Sequence, residues 1–287
     1  MTPSLAPSAE PKPERDHALS PSVAPVGVQR WQAGAWQAAG EDRVAEEVPV
    51  ALVINGVSHT VMMASPSDLP DFALGFAFTE GLIDGPEQLY GVDVHTHELG
   101  LELQLEVASA CAWRLRERRR SQAGSTGCGL CGADNLQQVQ RALPPVQAVS
   151  VPAAALARAE AQLHSRQSLQ HATGATHAAA WFDDAGNIQC VREDVGRHNA
   201  LDKLIGALLR AGSDVHAGGV LITSRASFEM VQKTVALGAA VLAAVSAPTA
   251  LAVRVAQTSG LCLAGFVRPG GFVAYTHPER LQSPSRG

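Results

Sequence analysis

The segment Gly219-Val220-Leu221-Ile222-Thr223 is a short apolar run bounded by turn residues, and a helical pattern begins soon after it at Ser227. Such a run is typical of a buried strand. Strands and helices alternate on both sides of it, which indicates a layered α/β domain. The other elements predicted in this half are strands at Ala178–Phe182, Ile188–Arg192, Leu261–Val267 and Phe272–Thr276, and helices at about His198–Arg210 and from Pro248.

The first half of the chain predicts a smaller α+β unit. Two β-branched arms from Val48 to Ala64 flank Asn55-Gly56, the preferred turn of a two-residue hairpin because both positions tolerate positive φ. A helix is predicted after Pro66, with Ser67 or Asp68 as its cap. Further on, the pattern predicts a strand pair over Val92–Val107 and a helix over Cys111–Arg120.

Composition limits the class of protein. The 287 residues are 46% apolar, so a sizeable core is available, and the net charge of -5 argues against non-specific nucleic-acid binding. The start has no apolar stretch behind a basic head, which predicts a cytoplasmic protein. We expect a disordered leader over residues 1–25, an N-terminal subdomain over 26–110, a basic helix and loop over 111–150, and a C-terminal domain over 151–282.

One segment, Thr234–Val253, is uncharged and nearly long enough to span a bilayer. It is mostly alanine, and Pro248 divides it. Two buried helices joined around Ser246-Ala247-Pro248 fit this pattern better than a membrane span, so we expect no membrane association.

The five cysteines are odd in number and the chain has no export signal, so a disulfide framework is not expected. Only Cys128 and Cys131 are close in sequence. Glycines flank both, in Gly127-Cys128-Gly129-Leu130-Cys131-Gly132, and a basic helix precedes them. A cationic neighbourhood lowers the pKa of a thiol and makes it nucleophilic.

A CxxC pair can bind zinc, exchange disulfides or carry a sulfane sulfur. Zinc needs about four ligands, and neither a second CxxC nor the H-x-E of zinc deaminases is present, so no metal site is predicted. A thioredoxin-like CxxC would lie between a strand and a long helix, whereas here glycines flank both cysteines and a basic helix precedes the pair. A glycine-rich loop suits a thiol that must reach two partners, as a sulfur carrier does. The alternative is a loop with two idle thiols.

Three segments of the second half could hold phosphate groups. Arg197 follows Gly196 at a helix start. Ser224 and Arg225 lie where a buried strand passes to a helix, which is where ligands of open α/β sheets bind. Arg268-Pro269-Gly270-Gly271 is a turn whose amides a ligand can approach. Each has a purely structural alternative: Arg197 could pair with Glu193 or Asp194, Ser227 could only cap its helix, and the last segment could be a plain hairpin turn.

Several long motifs together resemble one family, the formate dehydrogenase accessory sulfurtransferases (FdhD). The motifs are Arg192 to Lys203, Ser224 to Lys233, Thr173 to Ala178, Asn55-Gly56, Phe76 to Gly81 and the Cys128–Cys131 loop. The resemblance covers roughly residues 25–282. It implies a three-layer, cytidine-deaminase-like α/β core, and a homodimer.

The resemblance also implies the chemistry. Members accept persulfide sulfur from a cysteine desulfurase and pass it to the molybdenum bis(molybdopterin guanine dinucleotide) cofactor, which then enters formate dehydrogenase. Cys128 would bear the persulfide, and Cys131 would be a second essential or assisting thiol. The expected cofactor contacts are Phe266, Val267, Arg268, Pro269, Gly270 and Gly271, with Arg197, Ser224 and Arg225 as additional phosphate contacts. A cofactor-binding chaperone without sulfur chemistry is the alternative, and a zinc-dependent hydrolase or deaminase is a third.

Overall fold

The computed structural model describes residues 21–121 and 143–282, with the side chains of 116–121 excepted. The described chain opens on an antiparallel ribbon, in which β1 (Val23–Val28) pairs with β4 (Gly40–Ala45). At its tip, β2 (Trp31–Gln32) and β3 (Ala35–Trp36) pair as well. The ribbon was missed by sequence analysis, because its residues are largely exposed and show no strand-like alternation of polar and apolar side chains; β1 also starts within the segment expected to be a disordered leader.

A four-stranded sheet follows, with the spatial order β6-β5-β8-β7. Asn55 and Gly56 join its first two strands with φ of 45° and 77°, so the predicted hairpin turn is confirmed. The predicted strand pair is also present, and it is longer than expected. The strands are β5 (Val48–Ile54), β6 (Val57–Ala64), β7 (Leu89–His97) and β8 (Gly100–Val107).

Helix α1 (Leu69–Thr79) covers one face of this sheet, and α2 (Ser109–Ser121) follows the last strand. Phe72 packs against Leu52 and Leu103 in a fully buried core. Asp68 precedes α1, as predicted, but its side chain makes no capping hydrogen bond because its backbone is left-handed, with φ of 52°. The capping prediction is therefore wrong in mechanism, although it gives the helix start correctly.

The second unit is a six-stranded mixed sheet with the spatial order β11-β10-β12-β13-β14-β15. Its strands are β10 (His177–Asp183), β11 (Ile188–Asp194), β12 (Gly218–Ile222), β13 (Val241–Ala244), β14 (Cys262–Arg268) and β15 (Gly271–Thr276). Its helices are α3 (Ala153–Arg166), α4 (Ser168–Thr173), α5 (Arg197–Arg210), α6 (Phe228–Leu237) and α7 (Ala250–Thr258). A short parallel pair joins β9 (Val151–Pro152) to β16 (Leu281–Gln282).

Helices cover both faces of the six-stranded sheet. Successive strand residues point to opposite faces, so Phe182 packs with α3 on one side while Trp181 packs with α5 on the other. All five residues of the central strand β12 are buried, as predicted for an apolar run between two helix layers. The predicted α/β class is confirmed.

The Ala-rich segment is not two joined helices. Helix α6 ends at Leu237, Gly238 turns the chain at φ of 85°, and Val241–Ala244 forms a buried parallel strand before α7. Alanine favours a helix locally, but here a strand places Leu242 and Ala243 against opposite helix layers. Within the described ranges, no helix is long and apolar enough to cross a membrane.

The two units pack through a close crossing of α1 and α5. A Cβ atom on Gly75 would overlap the backbone of Asp202, and one on Gly206 would overlap the backbone of Asp71. Beside this crossing, Lys233 Nζ lies 2.9 Å from Asp202 Oδ1 and donates to Thr79 Oγ1 at 2.8 Å. The crossing and this buried ion pair fix the position of α5, which carries residues of the candidate site.

Candidate functional site

The predicted anion-binding segments lie along one edge of the six-stranded sheet. Strands β12, β13 and β14 are parallel and end at this edge, while β10 and β15 start there because they run antiparallel to their neighbours. Strand β11 ends there too, since His177 pairs with Asp194. The edge therefore assembles four segments: His177, Asp194–His198, Thr223–Ser227 and Phe266–Gly271.

Backbone hydrogen bonds continue the sheet into the loops of this edge. The amide of Thr223 donates to the carbonyl of Ala178 at 3.0 Å, and the amide of Phe266 donates to the carbonyl of Ser246 at 3.2 Å. The Arg268 guanidinium donates to the carbonyl of Val245 at 2.7 Å, which ties the last turn to the end of β13. The loops are thus held relative to one another by the sheet itself.

Asp194 fixes the entry to α5. Its carboxylate is fully buried and accepts hydrogen bonds from the Gly196 amide at 2.7 Å and the Ser65 amide at 3.0 Å. Lys203 Nζ lies 2.6 Å from the same carboxylate and donates to the carbonyl of Ser65 at 2.9 Å. This buried network joins the N-terminal sheet to the first turn of α5, which begins at Arg197.

The first turns of α5 and α6 meet. His198 Nε2 lies 2.7 Å from Glu229 Oε2, and each residue is the second of its helix. The hydrogen bond from His198 holds the pKa of Glu229 below its usual range, against the opposing effect of burial. Two helix N-termini, each with partial positive charge, therefore converge on this edge.

Two buried polar atoms at this junction have no hydrogen-bond partner within the described residues: Arg197 Nε and Ser227 Oγ. Neither structural alternative from the sequence is realised. No ion pair joins Arg197 to Glu193 or Asp194 in that part of the chain, and the Ser227 side chain makes no capping bond. A buried polar group without a partner is costly, so both atoms fit a ligand that supplies acceptors and donors here.

His177 lies half-buried at the start of β10. Burial lowers its pKa, and the positive charges of Arg197 and His198 lower it further, while Asp194 acts in the opposite direction. The imidazole is therefore held in its neutral form near pH 7, beside a cationic helix start.

The turn from Phe266 to Gly271 is strained and exposed. Phe266 adopts a left-handed backbone, with φ of 53°, and 47% of its surface is exposed. Non-glycine residues held in this region cluster at binding sites. The Val267 side chain is fully buried in the core, so only its backbone can face a ligand. Pro269 and Gly270 are exposed.

Ser224 and Arg225 follow β12 at the same edge. Ser224 is buried and its hydroxyl donates to the carbonyl of Arg225 at 3.1 Å, which holds the bend. The Arg225 side chain is exposed. Within the described residues the Arg225 guanidinium forms no ion pair or hydrogen bond, so Arg225 can supply a cation at this edge.

Cys128 and Cys131 lie outside the described residues. Among the cysteines that are described, Cys111 and Cys262 are buried and Cys190 is half-buried. Burial raises the pKa of Cys262 to about 12 and also raises that of Cys190, so neither thiol is ionised near neutral pH. In the described ranges, no three His, Cys, Asp or Glu side chains are arranged to hold a metal ion.

Sequence analysis missed the buried partners of the site. Glu229, Asp194 and Lys203 all lie inside the motifs identified in the sequence, but only Asp194 was considered there, as a possible partner of Arg197. A signal was present for Lys203, because it sits between Leu201 and Leu204 on the apolar face of a predicted helix.

Comparison with known proteins decides the family. The model of the FdhD/NarQ family matches residues 45–282, which include all four segments of the edge. This chain belongs to the FdhD/NarQ family. The family predicted from the motifs is therefore confirmed, and the match begins at Ala45, the last residue of the ribbon strand β4.

Curated relatives are similar over nearly the whole chain. A "Sulfur carrier protein FdhD" from Cupriavidus necator is 56% identical over 263 residues, which is 91% of each chain. A protein of the same name from Bordetella petrii is 55% identical over 242 residues, covering 84% of this chain and 87% of that one.

A solved structure has the same fold. The crystal structure of a protein from Desulfotalea psychrophila, described as a formate dehydrogenase accessory protein, superposes with a TM-score of 0.71. The alignment covers 91% of this chain and all of the other at 24% identity. At that identity, the likeness supports the fold alone.

Proposed function

We propose that this protein is a sulfur carrier in the maturation of formate dehydrogenase. It accepts sulfur from a cysteine desulfurase on Cys128 and transfers it to the molybdenum bis(molybdopterin guanine dinucleotide) cofactor, which is bound as cargo. The observation that carries the proposal is the convergence of Arg197, Arg225 and the Phe266–Gly271 turn on one sheet edge. The names of the relatives from Cupriavidus and Bordetella agree with it.

The edge suits the phosphates of a guanine dinucleotide. Arg197 and Arg225 supply guanidinium donors that match phosphate oxygens. The two helix N-termini add amide donors, and the turn at Gly270 lets backbone approach the ligand without side-chain obstruction. Ser227 Oγ, which lacks a partner within the described residues, can donate to a phosphate oxygen.

Sulfur transfer proceeds in two thiolate exchange steps. The Cys128 thiolate attacks the outer sulfur of the desulfurase persulfide, which leaves a thiolate on the desulfurase and a persulfide on Cys128. The Cys131 thiolate then attacks the inner sulfur of that persulfide. A Cys128–Cys131 disulfide forms, and the released hydrosulfide is transferred to the molybdenum of the cargo cofactor. A dithiol reductant then reduces the disulfide and restores both thiols.

The other implied features belong to the same proposal. The protein acts as a homodimer in the cytoplasm, and its C-terminal core has the cytidine-deaminase-like layering. The domain boundaries predicted from the sequence also belong to this proposal. We also retain the cofactor-binding chaperone as a second candidate, because the anion-binding edge supports cofactor binding independently of the cysteines.

Intact-protein mass spectrometry tests the carrier chemistry. After incubation with an active cysteine desulfurase and cysteine, the wild type should gain one sulfur mass that reductant removes. Cys128→Ala should gain none, while Cys262→Ala is the matched control and should gain it as the wild type does. Full labelling of Cys128→Ala would contradict the assignment. No labelling of the wild type would favour the chaperone.

A further inference from the structure

One carboxylate lies among the cations and hydrogen-bond donors of the sheet edge. Glu229 is the second residue of α6, and its side chain keeps 24% of its surface exposed. The hydrogen bond from His198 lowers its pKa most, and the charges of Lys233 and Arg197 lower it further, so the group is ionised near pH 7. A carboxylate repels phosphate. Phosphate binding alone therefore does not explain a carboxylate at this position.

The two oxygens of the Glu229 carboxylate differ in their contacts. Oε2 lies 2.7 Å from His198 Nε2, and this contact joins the first turns of α5 and α6. Oε1 forms no hydrogen bond with any of the described residues. Hydrogen bonds to an ionised acceptor are stronger than those to a neutral one. The pair with His198 thus holds the carboxylate in place and leaves one strong acceptor for a ligand.

The groups beside this acceptor are donors. Ser227 lies two residues before Glu229, and Arg197 is close enough for its charge to act on the carboxylate. Ser227 Oγ and Arg197 Nε are buried and have no hydrogen-bond partner among residues 21–121 and 143–282. A phosphate held by these donors lies near Glu229, so the part of the ligand that meets Oε1 must carry donors and lie next to a phosphate. In a nucleotide the ribose hydroxyls meet both conditions, because the ribose lies between the phosphates and the base.

We propose that Glu229 binds the ribose hydroxyls of a guanine nucleotide and makes the sheet edge specific for ribonucleotides. This inference rests on the function proposed above, since the cargo cofactor ends in guanosine nucleotides. An acidic side chain near the phosphate site binds the ribose in the same way in dinucleotide-binding α/β folds. Glu229 contacts the ligand, and His198 is a positioning residue that acts through it.

The test compares GDP with 2′,3′-dideoxy-GDP, which lacks both hydroxyls, by calorimetry on the full chain. The wild type should bind GDP about tenfold more tightly, because the dideoxy compound loses a hydrogen bond to a charged group. In Glu229→Gln the ratio of the two affinities should fall to about threefold or less, since a neutral amide is a weaker acceptor. In Glu229→Ala the preference for GDP should disappear.

The ratio separates ligand contact from a purely electrostatic or structural role. A carboxylate that only opposed the phosphates would, on removal, tighten binding of both nucleotides equally and leave the ratio unchanged. Glu106→Gln, at an exposed position of β8, is the matched control and should keep the wild-type ratio. IDP, which lacks the guanine amino group, should bind as GDP does. Weaker binding of IDP that Glu229→Gln abolishes would assign Glu229 to the base and overturn the ribose contact.

The same experiment distinguishes failure of this contact from failure of the proposed function. Equal binding of GDP and 2′,3′-dideoxy-GDP by the wild type would overturn the ribose contact and leave the cofactor site in place. A wild-type preference for GDP that Glu229→Gln retains would do the same. Absence of saturable GDP binding would contradict the cofactor site as well as the contact.

Discussion

Lys203 and Asp194 form an ion pair that is fully enclosed by protein, with Nζ 2.6 Å from Oδ2 and neither side chain exposed. The Asp194 carboxylate also fixes the amides of Ser65 and Gly196. Lys203 thus neutralises the charge that holds the start of α5 against the N-terminal sheet. The position of Arg197 depends on this pair.

Replacement of Lys203 by methionine should destabilise the protein strongly. The change leaves a buried carboxylate without its cation, which costs about 3–5 kcal/mol of unfolding free energy. Denaturant unfolding measures the loss. Arg254→Met is the matched control on an exposed helix face and should change the free energy by less than about 0.5 kcal/mol. Equal stability of the two variants would show that the enclosed pair contributes little.

Replacement of Gly206 by alanine should disturb the crossing of α1 and α5. Its Cβ would overlap the backbone of Asp71, so the helices must separate, at a cost of about 1–3 kcal/mol. Thermal and denaturant unfolding report the change. Gly27→Ala is the control, because no atom lies within 4 Å of a Cβ there. A Gly206→Ala variant as stable as the control would mean that the crossing adapts without strain.

Replacement of Arg197 or Arg225 by alanine should weaken binding of GDP, which represents one end of the cofactor. Loss of a charged hydrogen bond to phosphate reduces affinity about tenfold or more. Calorimetry at fixed ionic strength measures it, and added salt should weaken wild-type binding as well. Arg254→Ala should bind as the wild type does. Unchanged affinity for GDP in both edge variants would show that the cofactor phosphates do not bind at this edge.

Protonation of His177 should be disfavoured in the folded protein. Burial and the charges of Arg197 and His198 lower its pKa below the ordinary value near 6.5. The folded state therefore binds the proton less well than the unfolded state, and stability falls as the pH drops below about 6.5. NMR titration of the imidazole gives the midpoint.

Two variants separate the causes of this shift. Arg197→Ala removes one positive charge and should raise the His177 midpoint, whereas Arg254→Ala should leave it unchanged. His177→Gln should reduce the loss of stability on acidification. A midpoint at or above 6.5 in the wild type would contradict the burial and charge described for this histidine.

Local chemistry accounts for the elements that the sequence predicted correctly. Asn55-Gly56 tolerates positive φ and so defines a hairpin turn by itself. The apolar run at Val220 is too short for a helix and formed the expected strand. Where a residue's own conformational preference decides the structure, the sequence was sufficient.

The failures occur where distant contacts outweigh local preference. Val241–Ala244 is rich in a helix-forming residue, yet it is a strand because two helix layers and two neighbouring strands enclose it. Ser67 or Asp68 was expected to cap α1, but Asp68 has a left-handed backbone and its carboxylate lies 3.5 Å from Arg192 instead. Neither outcome can be predicted from a short window of sequence.

The sequence by itself determined the α/β class, the family, the cysteine pair and the motifs that carry candidate ligand contacts. Only the tertiary structure decided that His177, Arg197, Arg225 and Phe266 share one sheet edge, since strand order and direction bring them together. It also decided that Lys203 pairs with Asp194 and Lys233 with Asp202. Burial makes each of these charges dependent on its partner, and burial is a property of the whole fold rather than of any one segment.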